Sequence, residues 1–102
     1  MENSEDLVAV LVTTELRGVF FGYANQEDLD QNRVNPLKLT NVRNLVYWSS
    51  DCHGFLGLTN QGPNKNCKVG PKCPEILLYK ITSIAKCTEK SAKAWEAEPW
   101  KI

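Results

Sequence analysis

A run of six consecutive apolar residues, residues 7–12, constrains the fold of this chain most strongly. The run is short, uninterrupted and rich in valine, which is typical of a strand buried on both faces. A strand of this kind at a sheet edge invites aggregation, so we expect an interior position. The run has about a third of the length that a membrane-spanning helix needs, so we expect no membrane association.

Four further segments predict strands by their β-branched, aromatic or alternating composition: residues 18–23, 37–40, 45–48 and 75–86. The first of them forms a hairpin with residues 7–12. Between the second and third, residues 41–44 predict a tight turn or a bulge, because asparagine tolerates left-handed backbone. The polar residues 24–35 predict a connection that contributes nothing to the core.

Two segments predict helices. Residues 54–59 suit one or two turns that Gly62 closes, and Thr88 can cap a longer helix over residues 89–97. Ala92 and Trp95 share one face of that helix and are expected to dock it on the sheet. We therefore expect an α+β fold with a small antiparallel, meander-like sheet of about five strands. The chain is expected to form a single domain over residues 1–102, with residues 1–5 disordered.

The N-terminal sequence predicts the cellular compartment and, with it, the redox state of the cysteines. The acidic start lacks the features of a signal peptide, which predicts a cytoplasmic protein with reduced thiols rather than disulfides. His53 beside Cys52 suggests zinc, but the closest cysteine pair, Cys67 and Cys73, is spaced too widely for the usual zinc motif. We expect no metal and no other cofactor.

Charge is distributed unevenly although the net charge is zero. Residues 1–51 carry four basic and eight acidic side chains, a balance of −4, and residues 52–102 carry the reverse, +4. The loop of residues 60–74 contains three lysines and no acid, and its two Gly-Pro steps predict an exposed irregular segment. An anionic partner suits this loop, but the overall balance argues against a long nucleic acid. A solvated lysine-rich surface is the alternative.

A resemblance runs through residues 11–100 as an ordered series of short strings. They are VTTE at 12–15, RGVFFGY at 17–23, LTNVRN at 39–44, YW at 47–48, GL at 57–58, GP at 62–63, VGP at 69–71, WE at 95–96 and PW at 99–100. In these strings the chain resembles a family of small bacteriophage proteins. The resemblance implies an accessory protein in the host bacterial cytoplasm that blocks host defence. It implies either capture of a nucleotide immune signal or binding of a defence protein, and it transfers no catalytic residue.

Cations and aromatic residues suggest how a nucleotide-derived small molecule is captured. Arginine and lysine bind phosphates, asparagine supplies hydrogen bonds, and an aromatic ring stacks on a base. The predicted ligand-binding residues are Arg17, Arg43, Asn44, Tyr47, Trp48, Lys65, Lys68 and Lys72. The alternatives are an exposed cation for Arg17, a turn for Arg43 and Asn44, and a core position for Tyr47 and Trp48.

Catalysis is not expected from this sequence. His53 and Cys52 are neighbours, and no carboxylates are spaced as an acid and base pair. A small domain has little volume to enclose a nucleotide, so we expect a homo-oligomer with the pocket between subunits. The second hypothesis is a protein-binding inhibitor of a host defence enzyme. That function predicts an exposed aromatic patch from residues such as Phe21, Tyr23 or Trp100.

Overall fold

The computed structural model of the chain describes residues 7–15, 18–48 and 50–99. Six strands and three α-helices follow in the order β1 Leu7–Thr14, β2 Val19–Asn25, α1 Gln26–Asp30, β3 Leu37–Tyr47, α2 Gly54–Gln61, β4 Lys68–Val69, β5 Cys73–Leu78, β6 Ile81–Lys86 and α3 Glu89–Ala97. A short 3₁₀ helix, Ser50–Cys52, precedes α2. The predicted disorder of residues 1–5 lies outside the described residues.

The sheet is antiparallel, and β1 lies inside it. Strand β1 pairs with β2 on one side and with β6 on the other, and Val10, Leu11 and Val12 are fully buried. Strand β3 pairs with β2 along one edge, and its other edge pairs with β5 near the start of β3 and with β4 near its end. The interior position of the apolar run and the α+β class are confirmed.

The open sheet curls strongly because its two edges are joined by a tight corner. Strands β5 and β6 belong to opposite edges, yet only Tyr79 and Lys80 separate them in the chain. Lys80 has left-handed backbone with φ 57°. Its carbonyl accepts a hydrogen bond from the backbone N–H of Glu15 at 2.9 Å, and its own N–H donates to Asn35 Oδ1 at 3.2 Å. The corner therefore holds the end of β1 close to the start of β3.

The two faces of the curled sheet carry separate hydrophobic clusters. The concave cluster is built on Val10, Val12, Leu37, Leu39 and Leu78. The second cluster, built on Leu11, Phe21, Leu58, Cys67, Val69 and Trp95, lies between the sheet and helices α2 and α3. Strand β1 contributes alternate residues to both clusters, which explains why its sequence is apolar without interruption.

Helix α3 begins and docks as expected. The Thr88 hydroxyl accepts a hydrogen bond from the Ser91 N–H at 3.1 Å, and Ser91 Oγ donates to the Leu58 carbonyl at 2.6 Å. Trp95 is fully buried and stacks on Phe21 with ring centroids 5.3 Å apart and planes 3° from parallel. The predicted middle helix is also present, and Gly62 ends it with φ 82°.

Strand boundaries differ from the sequence prediction in two places. The two strands predicted over residues 37–40 and 45–48 are one strand, β3, because Asn41 with φ 50° forms a bulge that bends the strand without ending it. The single strand predicted over residues 75–86 is two, because the corner at Lys80 sends β5 and β6 to opposite edges of the sheet.

Two connections contribute more to the core than their composition predicts. Residues 24–35 were expected to add nothing, but Ala24 is fully buried, and Leu29 and Val34 pack against the concave cluster. The loop of residues 60–74 was expected to be exposed, but it buries Cys67 and Val69 completely and contains β4. Among the described residues, no helix is both long and apolar enough to cross a membrane.

Candidate functional site

A cleft of about 470 Å³ opens on the face of the sheet that carries α2 and α3. We call it the Tyr47 cleft. Its lining includes Thr13, Val19, Leu45, Tyr47, Trp48 and Phe55. Tyr47 is 54% exposed and Trp48 is 38% exposed, so the alternative that placed both rings in the core is wrong. The cleft thus has an apolar floor and an aromatic rim that a ligand can reach.

The pairing of neighbouring strands determines which residues lie together on the floor of the Tyr47 cleft. Ser83 on β6 pairs with Thr13 on β1, and Thr13 pairs with Val19 on β2. Phe20 on β2 pairs with Asn44 on β3, so the next residues on the two strands, Val19 and Leu45, also lie side by side. Leu45 in turn pairs with Val69 on β4. One cross-strand row therefore runs beneath the cleft and changes from hydroxyl groups at β6 and β1 to aliphatic groups at β2, β3 and β4.

Lys68 is brought to the aromatic rim by the β3–β4 ladder. It pairs directly with Tyr47, and both side chains are exposed. The ladder shifts register between Leu45 and Tyr47, and Lys68 is not itself in the described lining, so this lysine flanks the aromatic rim from the neighbouring strand. Of the predicted binding residues, the structure thus brings together Tyr47, Trp48 and Lys68.

Arg43 has a different position from the one that phosphate binding requires. The residue is only 3% exposed. Its Nε donates to the carbonyl of Gly70 at 2.9 Å, and its Nη1 donates to the carbonyls of Trp95, at 2.8 Å, and Glu98. Burial lowers the pKa of the guanidinium and the Glu98 carboxylate acts in the opposite direction, but arginine stays charged at neutral pH. We therefore assign Arg43 to the architecture rather than to a ligand.

Of the predicted residues, Tyr47 and Trp48 are in the described lining of the Tyr47 cleft, whereas Lys68, Asn44, Lys65 and Lys72 are not. Asn44 is exposed, and its carbonyl accepts a hydrogen bond from the Gly70 N–H at 2.8 Å. Lys65 lies exposed between two asparagines whose side chains bind Asp51, and Lys72 lies exposed just before β5. Arg17 lies outside the described residues.

The predicted aromatic patch for protein binding does not form from the residues proposed. Phe21 is fully buried against Trp95, so its assignment to an exposed patch was wrong. Tyr23 is partly buried and donates a hydrogen bond to Glu96, and Trp100 lies outside the described residues. Among the described residues, the large apolar side chains with the greatest exposure are instead Leu56, at 67%, and Val46, at 60%.

A smaller cleft of about 280 Å³ lies at the corner of the sheet. Phe20, Leu77, Tyr79 and Lys80 contribute to its lining. Its lysine lies 3.7 Å from a Glu15 carboxylate oxygen. Because a carboxylate already faces this cation, the cleft suits an anionic ligand less well than the Tyr47 cleft does.

Two buried acidic groups have raised pKa values. Burial raises the pKa of the Cys87 thiol to about 11, although a hydrogen bond with Ser91 works against the shift. Burial, together with the hydrogen bond and charge of Glu96, raises the pKa of Tyr23. Both groups therefore stay protonated at neutral pH. The described residues contain no group of three or more potential metal ligands among histidine, cysteine, aspartate and glutamate.

Sequence reasoning missed Thr13 and Phe55 as lining residues of the cleft. Thr13 follows an apolar run whose side chains cover both faces of the sheet. The sequence therefore lacks the alternation of polar and apolar residues that would show on which face the Thr13 hydroxyl lies. Phe55 reaches the cleft only because α2 packs beside β3 and β4 in the folded chain. Neither position has a local sequence signal.

Comparison with known proteins places the chain in one family. No curated protein and no solved structure matches it. A family match covers residues 7–95, from the start of β1 to the buried tryptophan of α3, and so includes every strand of the sheet. The chain belongs to the family described as Domain of unknown function (DUF6948).

Proposed function

We propose that this protein binds a phosphorylated small molecule of the nucleotide class in the Tyr47 cleft. The observation that carries the proposal is the pairing of Lys68, on β4, with Tyr47, which lines an apolar cleft. An aromatic ring gives a base a stacking surface, and an adjacent ammonium neutralises a phosphate. Stacking of one base contributes about 1–3 kcal/mol, and a charge-assisted hydrogen bond contributes about 1.5–3 kcal/mol.

We propose that in the cell the protein sequesters its ligand and does not convert it to a product. The resemblance to small bacteriophage proteins supports an accessory role in the host cytoplasm, where capture of a nucleotide immune signal blocks defence. The cleft is open at its rim, because Val46 and Tyr47 are more than half exposed. A second copy of the chain that covers this rim would enclose the ligand, which supports a homo-oligomer.

Calorimetric titration of the purified protein with a panel of nucleotides tests the proposal. The panel contains nucleoside mono-, di- and triphosphates and cyclic dinucleotides. We expect at least one class to bind, and Lys68→Ala to raise its Kd about tenfold or more. Lys38→Ala is the matched control, because Lys38 lies on the same strand nine residues from Tyr47, roughly 30 Å along β3, and should leave the Kd unchanged.

The proposal also predicts which other substitutions matter. Tyr47→Ala and Trp48→Ala should each weaken binding, whereas Lys72→Ala should have a small effect, since Lys72, unlike Lys68, is not paired with a lining residue of the cleft. Failure of every nucleotide class to bind, or an unchanged Kd in Lys68→Ala, would contradict the proposed site.

A protein-binding inhibitor is the second candidate function. Val46 and Leu56 favour it, because large exposed apolar side chains are typical of protein interfaces. If this surface binds a host defence enzyme, Leu56→Asp should abolish inhibition of that enzyme. Nucleotide binding should survive the same substitution, because Leu56 is not in the described lining of the cleft. The one variant therefore separates the two functions.

A further inference from the structure

Thr13, which lines the β1 end of the Tyr47 cleft, belongs to a cluster of three hydroxyl groups. Thr13 Oγ1 lies 2.6 Å from Thr82 Oγ1 and 2.6 Å from Ser83 Oγ. The register between β1 and β6 explains this arrangement, since Thr13 pairs with Ser83 but Thr14 pairs with Ile81. Thr82 is the extra residue of a β-bulge, so two consecutive hydroxyls meet one threonine.

The hydrogen-bonding capacity of this cluster is biased towards accepting. Three hydroxyls have three protons and about six lone pairs, because each hydroxyl is one donor with two acceptor positions. The two internal hydrogen bonds use two protons and two lone pairs. One proton and about four lone pairs remain for a ligand. The cluster therefore suits a ligand group that donates hydrogen bonds, and it suits a phosphate poorly because an ionised phosphate only accepts them.

The position of the cluster complements that of Lys68. Thr13 lines the Tyr47 cleft, and β1 is two strands away from β3, which corresponds to about 10 Å. Lys68 lies on β4, one strand beyond β3, and pairs with the lining residue Tyr47. One end of the cleft is therefore cationic and the other end accepts hydrogen bonds. A ligand with phosphate on one side and hydroxyl donors on the other matches both ends.

We propose that the hydroxyl cluster of Thr13, Thr82 and Ser83 recognises the ribose diol of the bound nucleotide. The proposal rests on nucleotide binding in the Tyr47 cleft and narrows the ligand to ribonucleotides with free sugar hydroxyls. The sugar hydroxyls donate to the free lone pairs of the cluster while Lys68 binds the phosphate. Deoxyribonucleotides lack one or both donors and bind more weakly.

Paired titrations with a ribonucleotide and its 2′,3′-dideoxy analogue test this assignment. We expect the wild-type protein to bind the ribonucleotide about five- to tenfold more tightly, the effect of one or two neutral hydrogen bonds. Thr13→Val keeps the branched shape and removes the central hydroxyl, and it should bring the ratio of the two Kd values close to one. Lys68→Ala should weaken both ligands equally and preserve the ratio.

The outcomes separate this inference from the proposed function. Equal affinity of the wild-type protein for both analogues would overturn the diol assignment and leave nucleotide binding intact. Failure of every ribonucleotide and of its dideoxy analogue to bind would overturn the two proposals together. A thermal melt checks the folding of Thr13→Val. Ser83→Ala, at an exposed position on β6, provides a second variant that should also lower the ratio if the assignment is right.

Discussion

Arg43 donates a hydrogen bond from Nη1 to the backbone carbonyl of Trp95 at 2.8 Å, and so joins β3 to the last turn of α3. The same side chain donates to the carbonyls of Gly70 and Glu98. The last carbonyls of a helix have no partner within the helix, and a cation near them also interacts favourably with the helix dipole. Arg43 therefore fixes α3 against the sheet and holds the segment after β4 in place.

Arg43→Met should destabilise the fold strongly. Methionine preserves an apolar stem, but it leaves buried carbonyls of Gly70 and Trp95 without their donor. We expect a loss of about 2–4 kcal/mol in the free energy of unfolding, measured by urea denaturation. Arg33→Met is the matched control, because Arg33 is exposed and forms a surface ion pair with Asp28, and it should cost about 0.5 kcal/mol or less. Equal costs for the two variants would contradict the role of Arg43.

Val10→Asp should unfold the protein. Val10 is fully buried in the concave cluster, on a strand paired along both edges, so the carboxylate would lack both water and a partner. Circular dichroism should show loss of the cooperative thermal transition. Leu7→Asp, at the 38% exposed start of the same strand, should retain that transition. A folded Val10→Asp protein would contradict the buried, interior position of β1.

Gly62→Ala should cost more stability than Gly54→Ala. Both glycines have positive φ, 82° at Gly62 and 77° at Gly54, so alanine is strained at both, and more so at Gly62, whose ψ of −178° puts it in a region that only glycine normally occupies. A Cβ at position 62 would also lie 2.6 Å from Ala94 Cβ and 2.9 Å from the Ser91 carbonyl oxygen, whereas position 54 has open space. The difference in unfolding free energy between the variants therefore combines the close contact between the end of α2 and α3 with the larger backbone strain at Gly62. No difference would mean that the helices separate freely there.

The Cys87 thiol should make the protein less stable at alkaline pH. Burial raises its pKa from 9.0 to about 11, so the unfolded chain loses this proton at a lower pH than the folded one does. The stabilising contribution is complete below pH 9 and is lost as the pH rises towards 11. Urea denaturation across this range should show a falling free energy of unfolding. Cys87→Ala should show a shallower fall, and an identical slope would contradict the assignment.

Local sequence patterns were sufficient to predict the elements whose formation depends on residues close together in the chain. A strand that is apolar on both faces is stable where other strands flank both its edges and a hydrophobic cluster covers each face. Strand β1 lies in such a position. The Thr88 cap and the stripe of Ala92 and Trp95 predicted α3 because capping and helical periodicity act within a few residues. Gly62 marked the end of α2 for the same reason.

Contacts between distant segments decided the rest. The partners of Arg43 lie 27, 52 and 55 residues away, so no local pattern showed whether its charge would face a ligand or a backbone carbonyl. The pairing of Lys68 with Tyr47 likewise exists only because β4 returns to the end of β3. Sequence by itself determined which residues form the core strand and the last helix, because burial and capping are local requirements. Tertiary structure alone determined which polar side chains remain available for a ligand, because that depends on which segments the fold brings together.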